Sequence, residues 1–282
     1  MDADYTRLTL KSNCFRAISK MVKPVCIYVD DGVSDVGVAS LQLAIATNLG
    51  LPTKTITAQH IIDNELEHCQ MLIMPGGADL PYCAKLNGKG NQHIRQFVQC
   101  GGFYLGICAG AYYATKTIEF TGDGYQIFEN RELALFNGKA VGSLPDLTNQ
   151  YYYDGTAVSK TFATLTFPNN TQSKFYYHGG PMFLSEVEDA ETVVACYSAN
   201  RPAIVCGSYG KGKFLLSGVH FELQPEIYEQ YIIRDTLHSS EYILEQSIYN
   251  QIKQMDSNYI WKKIRELLDE ISTKCQGTKT CE

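Results

Sequence analysis

The sequence predicts an α/β fold: a mostly parallel sheet flanked by helices, with a β-rich insertion and a helical C-terminal extension. Three observations predict it. Apolar runs such as Val25-Cys26-Ile27-Tyr28-Val29 and Leu72-Ile73-Met74 are unbroken, as in strands covered on both faces, whereas half-exposed strands alternate. Segments of helical periodicity separate these runs, so each strand rejoins the sheet through a crossover. Past Gln224-Pro225, apolar residues recur at the spacing of a helix with one buried stripe.

Residues 1–23 mix polar and apolar positions and read as an irregular or partly helical extension. Residues 24–240 form the α/β domain. Its first strand is residues 24–29, followed by a loop with Asp30 and Asp31 and by a helix over 38–49 that Gly50-Leu51-Pro52 stops. Residues 54–57 make a second strand, 58–67 a short helix or turn, and 71–74 the third strand. Gly88-Lys89-Gly90 is a loop, 91–100 a helix with Ile94, Phe97 and Val98 inward, and 102–107 the fourth strand. From 116 to about 170 the chain is rich in Thr, Asn, Tyr and Phe with short alternating runs. That segment reads as strands and loops packed beside Cys108 and not as a separate domain, its aromatics serving as pocket walls or ordinary core. Residues 192–197 and 203–209 form a hairpin, and Gly210-Lys211-Gly212 turns into a strand over 214–222. Residues 241–282 are the helical extension and a solvated tail from 274. The stripe from Leu244 to Ile271 covers the sheet or an edge; a homodimer or partner-protein surface is the alternative use.

Composition excludes several classes. A net charge of −6 gives nucleic acid no basic surface to bind. No apolar run approaches the ~20 residues that span a membrane, and Met1-Asp-Ala-Asp-Tyr-Thr-Arg7 lacks the form of a secretory signal. A cytoplasmic location is expected. The ten cysteines are scattered, with neither a C-x-x-C pair nor zinc-type Cys/His spacing. Most therefore read as small apolar residues in a reducing compartment, with Cys275 and Cys281 able to pair in the tail, and no metal is expected. His60, His68, His93 and His238 read as surface or capping residues. No nucleotide-binding glycine motif occurs, so no cofactor is expected and the partner is a small-molecule substrate.

The chemistry concentrates in three stretches. In Gly106-Ile107-Cys108-Ala109-Gly110, glycines flank a lone cysteine between a strand and a small-residue helix start. This is a nucleophile elbow with sulfur at the helix N-terminus, where unpaired N–H groups and the helix dipole favour an anion. A packed core cysteine is the bland alternative. Pro75-Gly76-Gly77 ends the third strand in a loop whose main-chain N–H groups can approach a reacting atom, half of an oxyanion hole. His220 and Glu222 lie two apart, so on a strand both side chains project the same way and the acid can hold the imidazole. Outside these, Asp31 lies at a strand's carboxyl end, where α/β sheets bind ligands, or else caps the next helix. His178, before Gly179-Gly180-Pro181, reads equally as a ligand contact or a hydrogen-bonded structural residue.

These blocks, in this order, resemble the class I glutamine amidotransferase-like superfamily. Gly106-Ile-Cys-Ala-Gly-Ala-Tyr-Tyr-Ala114 and Tyr176-Tyr-His-Gly-Gly-Pro-Met-Phe183 are most similar to the amidotransferase-like domain at the N-terminus of eukaryotic biotin-protein ligases. The match covers roughly residues 24–222. The resemblance implies a flavodoxin-like fold and a Cys108-His220-Glu222 catalytic triad acting on a C–N bond. Gly76, Gly77 and Ala109 would surround the oxyanion, and Tyr112, His178, Gly179 and Asp31 the substrate. Glutamine-using relatives carry Gln four residues after the nucleophile; Tyr112 here argues against glutamine. No glycine- and arginine-rich ligase signature follows, so biotin ligation is not expected of this chain. The alternatives are a non-catalytic ligand-binding, partner-binding or redox-sensing relative, and a cysteine peptidase.

Overall fold

The computed structural model describes residues 23–186 and 191–277. The N-terminal extension, apart from residue 23, and the side chains of the two tail cysteines lie outside what is described. Thirteen strands are present among these residues: β1 (Val25–Tyr28), β2 (Thr53–Ile56), β3 (Met71–Met74), β4 (Phe103–Ile107), β5 (Thr115–Gly122), β6 (Tyr125–Asn130), β7 (Phe136–Gly142), β8 (Thr161–Thr166), β9 (Gln172–Tyr177), β10 (Met182–Ser185), β11 (Glu191–Tyr197), β12 (Arg201–Tyr209) and β13 (Gly212–Ser217). Nine form one sheet in the order β2-β1-β3-β4-β13-β12-β11-β8-β9. The half from β2 to β13 is parallel, and antiparallel hairpins extend the other half. The fold is α/β, as the apolar runs predict.

Helices cover both faces of the parallel half. They are α1 (Asp35–Leu49), α2 (Ala58–Ile62), α3 (Asp79–Leu86), α4 (Lys89–Gln99) and α5 (Ala109–Tyr113). Ser34 caps α1 by accepting from the Gly37 N–H, and Gly50 closes it in the left-handed region. Side-chain alternation sorts β1 between two cores. Val25 and Ile27 pack with Leu41 and Ile45 of α1, whereas Cys26 and Tyr28 pack with Tyr82 and Ile94 on the other face.

After the sheet come α6 (Pro225–Tyr228), a π-helical turn over Glu229–Ile233, α7 (Arg234–Thr236), α8 (Tyr242–Ile252) and α9 (Asn258–Gly277). Ile260, Trp261, Ile264, Leu267 and Ile271 of α9 enter the same core as β1 and α1. The extension therefore packs into the domain's main core. Leu244, part of the stripe that periodicity predicts to be buried, is exposed instead, and α9 runs through Gly277, past the expected start of the tail.

Further differences are physical rather than accidental. Helix α3 occupies a stretch for which the sequence pattern predicts no element; Pro81 falls in its first turn, where a missing N–H costs nothing. The β-rich segment divides: β5, β6, β7 and β10 make a second sheet, ordered β10-β7-β5-β6, while β8 and β9 join the far edge of the first. Strand β13 stops at Ser217, so His220 and Glu222 lie beyond it, with the His220 N–H bridging to the Tyr176 carbonyl at 2.9 Å. The reading of the cysteines as apolar fillers fails at Cys26 and Cys69, which form a disulfide between β1 and the residue following a 3-10 turn. Among the described residues no helix is long and apolar enough to cross a membrane, and no cluster of His, Cys, Asp or Glu could hold a metal ion.

Candidate functional site

Three neighbouring parallel strands end at one place. β3 runs out into Gly76 and Gly77, β4 into Cys108, and β13 into the loop that carries His220. The carboxyl edge of a parallel sheet is where such loops converge.

Cys108 sits at φ 50° and ψ −105°, a strained conformation for a residue with a Cβ. Small neighbours hold it there: a Cβ on Gly106 would stand 2.5 Å from the Gly110 carbonyl, so only glycine lets α5 fold back over its own strand. The main chain completes the elbow, with the Cys108 N–H donating to Ser217 and the Gly110 N–H to Pro75. The sulfur contacts the His178 carbonyl at 3.8 Å. It borders the same cavity as the His220 ring, whose pKa it helps to raise.

His220 is 12% exposed and Glu222 fully buried, and Nδ1 of the one lies 2.8 Å from Oε1 of the other. The two-residue alternation expected of a strand survives in the loop. Burial disfavours the imidazolium, but the Glu222 carboxylate and Cys108 outweigh it and push the His220 pKa up to about 10. Glu222 Oε2 is buried without a hydrogen-bond partner among the described residues. Gly76 supports the ring from below, since a Cβ there would meet His220 Cε1 at 2.5 Å.

Gly77 has φ 138°, and a Cβ on it would collide with the Gly32 carbonyl at 1.9 Å. No hydrogen bond from the Gly77 or Ala109 N–H is found among the described residues, and both residues line the space beside Cys108. That space is two cavities meeting at the sulfur. The first, about 180 Å³, is walled by Leu80, Tyr112, Phe120, Tyr125 and Ile127. The second, about 190 Å³, is walled by Lys160, Tyr176, His220 and Tyr228. Gly77, Cys108, Tyr153 and His178 border both.

His178 is held differently from His220. Its Nε2 lies 3.0 Å from the Ser159 hydroxyl, which in turn donates to Asp154 at 2.8 Å. Burial and the nearby charges of Lys160 and His220 push its pKa down to about 3, so the ring is neutral. Gly179 lines the first cavity, and its carbonyl accepts from the Tyr112 hydroxyl at 3.0 Å. Tyr112 is thus a wall whose polar tip is engaged elsewhere. Asp31 is the residue the structure leaves out: 77% exposed at its side chain, it pairs with Lys85 at 3.0 Å and lines neither cavity. Ser34, not Asp31, caps the following helix.

Lys160, Tyr228 and Glu245 carry no motif that would single them out in the sequence. Lys160 pairs with the buried Glu245, which accepts from the Tyr228 hydroxyl at 2.6 Å. A weaker signal is present, since Glu245 shares a helix face with Ile248 and Ile252, and a carboxylate on a buried stripe requires a partner. Tyr153 is visible only as one of three consecutive tyrosines; Tyr151 and Tyr152 are exposed, and the third enters the site.

A family model described as "Biotin-protein ligase, N terminal" matches residues 23–281, including the helical extension. An uncharacterized protein of Chlamydia muridarum is 30% identical over 217 residues, which is 73% of this chain and 83% of that protein. The biotin–protein ligase of Schizosaccharomyces pombe is 32% identical over 165 residues, 55% of this chain but 26% of the ligase. Among solved structures, a glutamine amidotransferase from Thermotoga maritima superposes with a TM-score of 0.50 at 12% identity, covering 88% of this chain and 98% of that one. At that identity the likeness is one of fold.

Proposed function

The chain belongs to the biotin-protein ligase N-terminal family, and from that premise we propose that it is a cysteine-dependent amidohydrolase or amidotransferase acting on the C–N bond of a small amide. The supporting observation is that Cys108 and His220 border one cavity beyond the ends of adjacent parallel strands, with Glu222 Oε1 2.8 Å behind the imidazole. In this reading the thiol proton of Cys108 resides on His220, the sulfur attacks the carbonyl carbon as thiolate, and the C–S bond forms as the carbonyl oxygen becomes an oxyanion facing the Gly77 and Ala109 N–H groups. Such donors typically contribute ~3 kcal/mol each. His220, which holds its proton at neutral pH, delivers it to the leaving nitrogen as the C–N bond breaks. Water or an amine then attacks the thioester, the C–S bond breaks, and the proton returns through His220. Glu222 fixes the ring's orientation and stabilises its charge.

Glutamine is a poor candidate substrate, because the residue four positions after the nucleophile is Tyr112, with its hydroxyl engaged by Gly179. Biotin ligation is no part of the proposal, since the chain spans 26% of the yeast ligase. The test is an amide panel read by amine release, with Cys108→Ala as control. Release by the native chain and background release by the variant are expected. Equal release from both would remove the proposal.

A further inference from the structure

The two cavities meeting at Cys108 differ in which of them His220 reaches. His220 borders only the second. A general acid must stand beside the atom it protonates. If Cys108 accepts the acyl group, the leaving nitrogen lies on the His220 side, and the acyl chain extends the other way. We propose, on the reading of Cys108 as the acyl-accepting nucleophile, that the first cavity is the acyl pocket and that it takes an apolar acyl group bearing an aromatic ring.

The walls carry the argument. Phe120 on β5 stands edge-on to Tyr112 at 5.6 Å and to Tyr153 at 5.8 Å, and Tyr125 leans over it at 5.9 Å. The β5–β6 register sets Phe120 directly opposite Ile127 and Gly122 opposite Tyr125, so these residues share one face of the hairpin. Offset and edge-to-face contacts are what a further ring would make with them. The size also fits: an apolar cavity of about 150 Å³ holds one benzene ring, and this one is about 180 Å³.

Two of its polar side chains are already engaged. The Tyr112 hydroxyl donates to Gly179, and the Asp79 carboxylate, the one charged group on the wall among the described residues, accepts from the buried Arg131 at 2.7 Å. An amino-acid acyl group such as the glutamyl of glutamine would set its own carboxylate among four rings and beside Asp79, with no cation on the wall to meet it. The second cavity, with Lys160 and His220, suits the polar departing half.

Aldehydes test this, because a cysteine nucleophile adds to them reversibly as it would to the carbonyl of a substrate. The readout is protection of Cys108 in the full chain from iodoacetamide, followed by mass spectrometry of the peptide containing it. We expect 3-phenylpropanal to protect at about tenfold lower concentration than propanal, the increment for burying a ring. That preference should vanish in Tyr125→Ala, a position 45% exposed and so tolerant of truncation, with a thermal melt confirming the fold. Equal protection by both aldehydes, or stronger protection by glutamate γ-semialdehyde, would overturn the pocket assignment and leave the nucleophile reading standing. Alkylation of Cys108 that no aldehyde slows would defeat both.

Discussion

Two histidines border one cavity with Cys108, and one ring is charged while the other is neutral. Both His178 and His220 lose solvent, which disfavours the charged ring in each. Behind His220 stands an ionised acid, Glu222 at 2.8 Å, and the ring keeps its proton up to about pH 10. Behind His178 stands a hydroxyl, Ser159 at 3.0 Å, with Lys160 and the cationic His220 nearby, and the ring stays neutral down to about pH 3. The residue type does not set the role; the group behind the ring does. In the proposed reaction one histidine delivers a proton to the leaving group, while the other is a neutral wall whose main-chain carbonyl touches the sulfur.

The largest effect is expected from His220→Asn, which removes the proton carrier and should lower turnover of any amide substrate found by roughly a thousandfold. The equivalent change His178→Asn should be far milder, and parity between them would erase the contrast. Next comes Gly76→Ala, whose Cβ would enter the space of His220 Cε1 and displace the ring. A loss of roughly a hundredfold is expected in turnover, from misplacement alone. Third, Glu222→Gln keeps the shape and removes the charge. The alkaline limb of the pH–rate profile should move from about 10 toward the ordinary 6.5, which steady-state rates across pH would reveal; an unmoved limb would reassign it to another group.

The smallest effects are in stability, and they have opposite signs. Between pH 6.5 and 10 the folded chain binds the extra proton at His220, so stability falls as pH rises. Between pH 6.5 and 3 the unfolded chain binds it at His178, so stability falls as pH drops. Melting temperatures across pH should therefore show a shallower alkaline decline in Glu222→Gln and a shallower acid decline in His178→Gln, each relative to the native chain.

Much of this site is legible in the order of the residues. The glycines around Cys108 announce an elbow because no other residue lets a helix double back there, and His220 with Glu222 announces a pair because extended chain alternates its side chains. What is not legible depends on long-range contact. Asp31 has the look of a ligand residue at a strand end, yet Lys85 draws it outward. Lys160 is unremarkable until Glu245, 85 residues later, is found buried against it. The Cys26–Cys69 pair joins residues 43 apart, with no local pattern to mark it.

By itself, then, the sequence determined local matters: which runs become strands, where the chain turns sharply at residue 108, and which neighbouring side chains share a side. Periodicity, glycine and short-range hydrogen bonding act over a few residues, and they are legible there. The tertiary structure alone decided which imidazole is charged, which cavity each wall belongs to, and that β3, β4 and β13 lie side by side. Burial and Coulomb interaction depend on distance through space, and distance through space is what a list of residues does not contain.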